Sequence, residues 1–209
     1  EFVGLARAEL QRSRDGIPLI HFTGGGGNVA AGKYNDGTPE SRLRLTERMS
    51  DGLKRAWRST VRQPIDASSV EWRVAPVALP LAPHLDAAKL KATLGDTSLP
   101  ESNRFPAAGK LAYVERVLAG QRIDLTCLKL GQVHLLHMPG ELFVEYQLAA
   151  QEMKSDGIVC LAAYGDGGPG YIGTEISYAE GGYETQPSST NVAPQVEGIL
   201  LGSIRQLLK

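Results

Sequence analysis

Residues 123–163 read IDLTCLKLGQVHLLHMPGELFVEYQLAAQEMKSDGIVCLAA. The stretch contains two apolar runs around Gly131-Gln132, a helical segment and a final run that is wholly apolar. Apolar runs around a glycine-containing pair predict a β-hairpin, and a wholly apolar run is typical of a strand covered on both faces. A hairpin, a helix and a further strand predict a mixed β-sheet flanked by helices, in the α/β (or α+β) class. The predicted elements are strands over 123–130 and 133–138, a helix over 141–154 and a strand over 158–163.

The flanking sequence adds further helices and strands to this sheet. Thr38-Pro39-Glu40 predicts a helix start, because it combines a capping hydroxyl, a proline at the first helical position and an acid in the first turn. Pro76 interrupts an alternating run, which predicts a sheet edge or a bulge. The predicted elements are helices over 2–12, from 39 onward, over 85–94, 101–119 and 192–208, and strands over 17–22 and 70–79.

Length and composition place the chain among ordinary globular proteins. Its 209 residues suit a single domain or part of a larger catalytic domain, and 42% hydrophobic and 22% charged residues exclude a disordered, collagen-like or coiled-coil chain. A net charge of -1 gives no reason to expect nucleic acid as a partner. No apolar run is long enough to predict a transmembrane segment. Cys127 and Cys160 lie in apolar runs, so we expect buried, reduced thiols.

Glycine and charge are unevenly distributed. Thirteen of the 24 glycines lie in two loops, residues 23–37 and 164–184. Both loops leave the ends of predicted strands, where open sheets bind ligands, so we expect them to share one site. Residues 155–204 contain no Lys or Arg and six acids, which favours a cation over an anion.

The first glycine loop also invites a phosphate-loop interpretation. Gly24-Gly25-Gly26-Gly27-Asn28 lacks the Gly-Lys-Ser/Thr end of that motif, and the next predicted helix starts only at Pro39. A phosphate-binding module stays open as an alternative, which requires Lys33 and no metal.

Several polar residues allow a structural as well as a functional interpretation. His134-x-x-His137 followed by Glu141 has metal-ligand spacing, but two residues three apart on a strand point to opposite faces. This pattern predicts one buried and one exposed histidine. Glu141 also fits a helix N-terminus, where the helix dipole favours an acid. Four of the seven tyrosines lie within the second glycine loop, where tyrosines commonly cover apolar surface.

Three stretches together resemble the neutral/alkaline non-lysosomal ceramidases. They are IHFTGGGGNVAAGKY (20–34), LLHMPGELFVEY (135–146) and GYIGTEISYAEGGYE (170–184). Their order and approximate spacing match, and the resemblance is strongest to the divergent bacterial ceramidase-like branch. The distinctive signature consists of Tyr171, Thr174, Tyr178, Tyr183 and Glu184.

The resemblance implies a catalytic zinc ion, held in the family by two histidines, the glutamate of Pro-Gly-Glu and the first tyrosine of the tyrosine motif. Transferred to this sequence, it makes Glu141 and Tyr171 zinc ligands. It places Tyr183 beside the scissile amide, as a proton donor or oxyanion partner. Gly27 and Asn28 then shape the substrate pocket.

The sequence departs from the family pattern in two respects. Ceramidases carry Gly-Asp-Val-Ser-Pro at the first glycine loop, with the serine in the catalytic centre, whereas Ala30 stands at that position here. The two histidine ligands are expected upstream of residue 1. Neither of these two ligands can be assigned to any histidine of this sequence, which has His21, His84, His134 and His137.

The resemblance implies the C-terminal part of a ceramidase-like catalytic domain over residues 1–209, with the N-terminal remainder of the same protein as its partner. The implied activity is zinc-dependent hydrolysis of an amide bond in a small molecule, with a ceramide-like lipid as the default substrate and an activated water attacking the carbonyl. The alternative is a non-catalytic scaffold that binds a ligand or partner, because Ala30 has no hydroxyl. The cysteines do not fix the compartment, whereas the resemblance implies a secreted or periplasmic protein.

Overall fold

The computed structural model describes residues 2–14 and 16–209. Helices α1 to α7 span Phe2–Arg12, Pro39–Ser59, Ala87–Gly95, Glu101–Leu118, Val144–Met153, Glu175–Glu180 and Val196–Leu207. Strands β1 to β6 span Val70–Val77, Ile123–Leu130, Val133–Pro139, Glu141–Leu142, Ile158–Gly165 and Tyr171–Ile172. Each described helix is too short or too polar to cross a lipid bilayer. The chain divides into two units, a smaller one with residues up to Phe22 and Ala30–Pro64, and a larger one with Thr23–Val29 and Ile65–Lys209.

The smaller unit is built on the pair α1 and α2. The predicted start of α2 is confirmed, since the Thr38 hydroxyl accepts a hydrogen bond from the Ser41 N–H at 3.2 Å. The Glu9 carboxylate joins the helices, because it accepts hydrogen bonds from Ser50 and Lys54. The predicted strand over 17–22 is wrong. No strand forms there, although the adjoining Thr23 carbonyl accepts a hydrogen bond from the Ala163 N–H of β5 at 2.9 Å.

The larger unit is built on a four-stranded sheet in the order β1-β2-β3-β5. Strands β1, β2 and β3 are antiparallel, and Gly131 forms the predicted hairpin turn with a φ of 59°. Strand β5 pairs parallel to β3, and α5 forms the crossover between them. These pairings confirm the mixed sheet and the α/β class. Pro76 lies on the edge strand β1 in continuous register, so the edge interpretation is correct and no bulge occurs.

Helices α5 and α7 cover one face of this sheet. Leu125 and Leu136 from the sheet and Leu200 from α7 are fully buried in this core. The Arg73 guanidinium fixes the end of α7, because it donates to the Leu207 carbonyl at 2.9 Å. Side chains alternate between the two faces of a strand, so residues two apart in each strand point toward α5 and α7 and are buried together.

The opposite face of the sheet is uncovered, which corrects the expectation for residues 158–163. Cys127 and Cys160 are both free thiols as expected, but only Cys127 is buried, because Cys160 points to the other face. The strand therefore has one covered face among the described residues. The exposed or half-buried apolar side chains of the central part of the uncovered face, here called the open sheet face, are Val70, Trp72, Val74, Leu128, Leu130, Val133, Leu135, Ile158, Cys160 and Ala162. Pro76, Asp124, His137 and Tyr164 lie on the same side of the sheet.

The start of α5 also differs from the prediction. The helix begins at Val144, whereas Glu141 lies in the short strand β4, which pairs parallel with β6. The backbone causes this shift, since Gly140 has a φ of 61° and the Glu141 N–H donates to the Gly170 carbonyl at 2.9 Å. Glu141 is therefore not a helix-start residue.

Candidate active site

Three segments of the larger unit meet where β3 ends. The Gly140 N–H donates to the Gly165 carbonyl at 2.6 Å, and the Tyr164 N–H donates to the Gly140 carbonyl at 2.8 Å. A Cβ atom at Gly140 would lie 2.5 Å from the Gly170 carbonyl oxygen, so only glycine fits this close approach. The Pro-Gly-Glu segment is thus bonded to both ends of the loop that follows β5.

Glu141 and Tyr171 are brought side by side by the β4–β6 pairing, in which they are direct register partners. Both side chains are half-buried, and the interaction of the Tyr171 hydroxyl with the Glu141 carboxylate, followed by burial, raises the pKa of Tyr171 to about 12. Two oxygen donors are therefore adjacent, 30 residues apart in sequence.

Tyr183 packs against this pair from the far end of the second glycine loop. Its ring centroid lies 5.8 Å from that of Tyr171, with an interplanar angle of 77°, which is an edge-to-face contact. The Tyr183 side chain is 63% exposed, so its polar end faces solvent rather than the core. The structure therefore brings together the three side chains to which the resemblance assigns chemistry.

The first glycine loop lies directly against the same segment. The Gly27 N–H donates to the Leu142 carbonyl at 2.8 Å, and a Cβ atom at Gly27 would collide with the Glu141 carbonyl oxygen. The Gly25 N–H donates to the Gln147 side chain at 3.1 Å. Because these two N–H groups are already bonded, they are not available to a phosphate.

Asn28 has a structural contact that sequence analysis did not anticipate. Its side-chain oxygen accepts a hydrogen bond from the Val144 N–H at 2.9 Å, so it caps α5 from 116 residues away. Its amide nitrogen donates to both Glu145 carboxylate oxygens, at 3.2 and 2.9 Å. Asn28 therefore fixes the loop to the start of α5 at the rim of the site.

Tyr164 is a site residue that had no separate role in the prediction from sequence. Its φ of 66° lies in the left-handed region, where a bulky residue is strained, and Asp166 follows with a φ of 43°. Burial, with Glu141 as a smaller cause, raises the pKa of Tyr164. The only sequence signal for this position is its place among tyrosines and glycines at the end of an apolar strand.

The histidines behave as the strand geometry predicts. His134 is buried with 2% exposure, and burial with nearby Lys154 lowers its pKa, whereas His137 is half-buried on the opposite face. Within residues 2–14 and 16–209, no three His, Cys, Asp or Glu side chains gather into a metal site. Ala30 and Lys33 belong to the smaller unit, where the Lys33 ammonium lies 5.5 Å from the Tyr34 ring centroid.

The donor set fits part of a zinc site. A carboxylate and a phenol on neighbouring strands could offer two oxygen ligands, and catalytic zinc generally takes three protein ligands that include nitrogen or sulfur. The edge-on phenol of Tyr183 could donate to an oxyanion formed beside such an ion. A zinc site built on this pair would therefore need at least one further ligand.

Comparison with known proteins finds similarity at the level of the fold. The crystal structure of the neutral ceramidase from Pseudomonas aeruginosa matches 100% of this chain and 40% of its own, with a TM-score of 0.63 and 14% sequence identity. A ceramidase complexed with C2 matches 100% of this chain and 41% of its own, with a TM-score of 0.58 and 16% identity. No protein-family profile and no curated protein matches the sequence.

The chain therefore has the fold of part of a ceramidase, which confirms the resemblance expected from the sequence. It spans about 40% of the length of the ceramidase structures that it matches.

Proposed function

We propose that the chain forms part of a ceramidase-like, zinc-dependent hydrolase that cleaves the amide bond of a small molecule, with a ceramide-like lipid as the first substrate to test. The observation that carries this proposal is the register pair Glu141–Tyr171 with Tyr183 packed edge-on against it. The pair lies in a chain with a ceramidase fold, in a loop region that carries no Lys or Arg.

Each of the three side chains has a distinct task in this proposal. Glu141 and Tyr171 supply two oxygen ligands, and two histidines from the N-terminal remainder of the protein complete the set. Zinc bound there would supply an activated water and a polarised amide carbonyl. Tyr183 donates a hydrogen bond to the oxyanion or a proton to the leaving amine.

Gly27 and Asn28 shape the pocket wall in this proposal. Gly27 permits backbone contact with Glu141, and Asn28 holds the loop at the start of α5. Residue 30 is alanine, so the attacking group is a water molecule rather than a side-chain hydroxyl. By the same resemblance, we infer a secreted or periplasmic protein.

The activity test uses the complete protein and an N-acyl amide whose cleavage releases a fluorescent amine. We expect hydrolysis that stops on treatment with a chelator and returns with zinc. Tyr183→Phe should reduce kcat by about 100-fold or more, since loss of one oxyanion donor typically costs that much. Tyr34→Phe, a change to an exposed tyrosine of the smaller unit, is the control and should leave the rate unchanged.

The alternative is a non-catalytic scaffold that binds a ligand or partner, and the observation that favours it is Ala30. The same experiment separates the two functions. A protein that contains zinc but hydrolyses neither short-chain nor long-chain N-acyl amides would support the scaffold and contradict the enzyme.

A further inference from the structure

The parallel pairing of β3 and β5 is interrupted by a β-bulge that contains Tyr164. His137 pairs with Ala162 and Pro139 with Gly165, so β5 has one residue more than β3 between these two pairs. Within the bulge, Tyr164 has a φ of 66°, which is strained for a bulky residue. Bulges occur frequently beside active sites, and residues held in strained conformations cluster there. The position of the Tyr164 side chain is therefore of functional interest.

The Tyr164 hydroxyl lies near both the first glycine loop and the Glu141–Tyr171 pair. A Cβ atom at Gly26 would lie 3.5 Å from the Tyr164 hydroxyl oxygen, which is ordinary contact distance. Burial, followed by the charge of Glu141, raises the pKa of Tyr164. In turn, after the larger effects of Glu141 and burial, Tyr164 helps to raise the pKa of Tyr171. The Tyr164 side chain is 44% exposed, so a ligand at the pair can reach it.

The Tyr164 hydroxyl is not used as a donor within the fold. Two other tyrosines of the larger unit are committed, since the Tyr146 hydroxyl donates to the Gly173 carbonyl at 2.8 Å. The Tyr178 hydroxyl pairs with the Thr190 hydroxyl at 3.2 Å. Tyr164 has no such partner among residues 2–14 and 16–209. A half-exposed phenol with an unused O–H is suited to bind an acceptor on a ligand.

The backbone beside the pair has few donors left for a ligand. Four N–H groups there already donate to carbonyl oxygens of the fold, and they belong to Gly140, Glu141, Tyr164 and Tyr171. A carbonyl oxygen that gains negative charge during amide hydrolysis needs hydrogen-bond donors within about 2.7–3.1 Å. Residues 155–204 also carry no Lys or Arg. Donors for such an oxygen must therefore come from uncharged side chains near the pair, and the phenols of Tyr164 and Tyr183 are two of these.

We propose that the Tyr164 hydroxyl donates a hydrogen bond to the carbonyl oxygen of the substrate amide, alongside Tyr183, and that the bulge in β5 holds it in that position. This inference rests on the proposed function, since it places an amide substrate at the Glu141–Tyr171 pair. It adds a second phenol to the site, on the side of the first glycine loop. It also explains why a bulky residue occupies a strained position.

Tyr164→Phe in the complete protein tests this role, with Tyr113→Phe as the matched control. Each change removes a hydroxyl that has no hydrogen-bond partner among the described residues, but Tyr113 lies in α4 and is buried. We expect Tyr164→Phe to lower kcat by about 100-fold, since loss of one oxyanion donor typically costs that much. The urea midpoint of Tyr164→Phe and both properties of Tyr113→Phe should stay at the wild-type values.

A series of N-acyl amides whose leaving amines differ in basicity separates an oxyanion donor from a proton donor. The carbonyl oxygen gains charge whichever amine leaves, so Tyr164→Phe should lose the same factor in kcat with every member of the series. Protonation of the leaving amine matters most for basic amines. A loss that disappears with weakly basic amines would overturn the inference, because Tyr164 would then act on the amine nitrogen.

The remaining outcomes distinguish failure of this inference from failure of the proposed function. Wild-type hydrolysis that Tyr164→Phe leaves unchanged would overturn the inference alone. If the wild type hydrolyses none of the amides, the proposed enzyme is wrong, and calorimetric binding of the same N-acyl amides decides the inference. A hydrogen bond to the carbonyl then predicts binding about 3–10-fold weaker in Tyr164→Phe. Equal binding by the two proteins, or no binding by either, would overturn it.

Discussion

Gly27 lies in direct backbone contact with Glu141. The Gly27 N–H donates to the carbonyl of Leu142, and any Cβ atom at Gly27 would collide with the Glu141 carbonyl oxygen. The first glycine loop is therefore packed against the strand that carries the proposed zinc ligand. The requirement for glycine at position 27 comes from this contact rather than from a special φ angle.

Gly27→Ala should destabilise the protein by about 1–3 kcal/mol, because the added methyl forces the loop away from β4. Gly26→Ala is the matched control, since a Cβ atom there would meet its nearest atom, the Tyr164 hydroxyl oxygen, at an ordinary 3.5 Å. Thermal or urea unfolding of both variants measures the difference. Equal stability of the two variants would contradict the proposed contact.

Glu141→Gln should lower zinc content without destabilising α5, because Glu141 lies in β4 and not at the helix start. We expect the metal-free variant to unfold within about 0.5 kcal/mol of the metal-free wild type. The measurements are zinc analysis and chelator-treated unfolding. Loss of stability together with full zinc content would restore the view of Glu141 as a purely structural acid.

The pH dependence of Tyr171 follows from its interaction with Glu141. Its pKa is raised to about 12, so the protonated phenol contributes stability that is complete below its ordinary pKa of about 10 and is lost as the pH rises through about 12. Ultraviolet titration of the metal-free protein should show that Glu141→Gln lowers the pKa of Tyr171 and, by less, that of Tyr164. Identical titration curves for the two proteins would exclude this interaction.

Asn28 is predicted to act as a helix cap for α5. Asn28→Ala should cost about 0.5–2 kcal/mol, because the Val144 N–H loses its acceptor. Asn28→Asp keeps an acceptor but places a second carboxylate against Glu145, so its stability should rise as the pH falls. Adding Glu145→Gln should remove that pH dependence, and its persistence in the double variant would argue against this contact.

The elements that sequence analysis predicted correctly are those determined by local pattern. The hairpin at Gly131-Gln132 and the α2 start at Thr38-Pro39 depend on turn and capping chemistry within a few residues. The meeting of Pro-Gly-Glu with the tyrosine loop was expected from the family resemblance, which places Glu141 and Tyr171 in one site.

The elements that sequence analysis missed depend on distant partners. Glu141 fits a helix start by local propensity, but its pairing with Tyr171 holds it in a strand. Residues 17–22 have strand-like composition but form no ladder with the sheet. Exposure of Cys160 reflects a sheet face that local sequence cannot identify as open. The cap from Asn28 joins residues 116 positions apart, beyond the range of any local pattern.

The zinc content of the complete protein, measured for Tyr171→Phe beside Tyr183→Phe, decides whether Glu141 and Tyr171 bind zinc. Both changes remove one hydroxyl from touching rings, but only Tyr171 is proposed as a ligand. We predict that Tyr171→Phe loses most of its zinc, whereas Tyr183→Phe retains zinc and loses activity. Full zinc content in Tyr171→Phe would contradict the assignment of the Glu141–Tyr171 pair as half of a metal site.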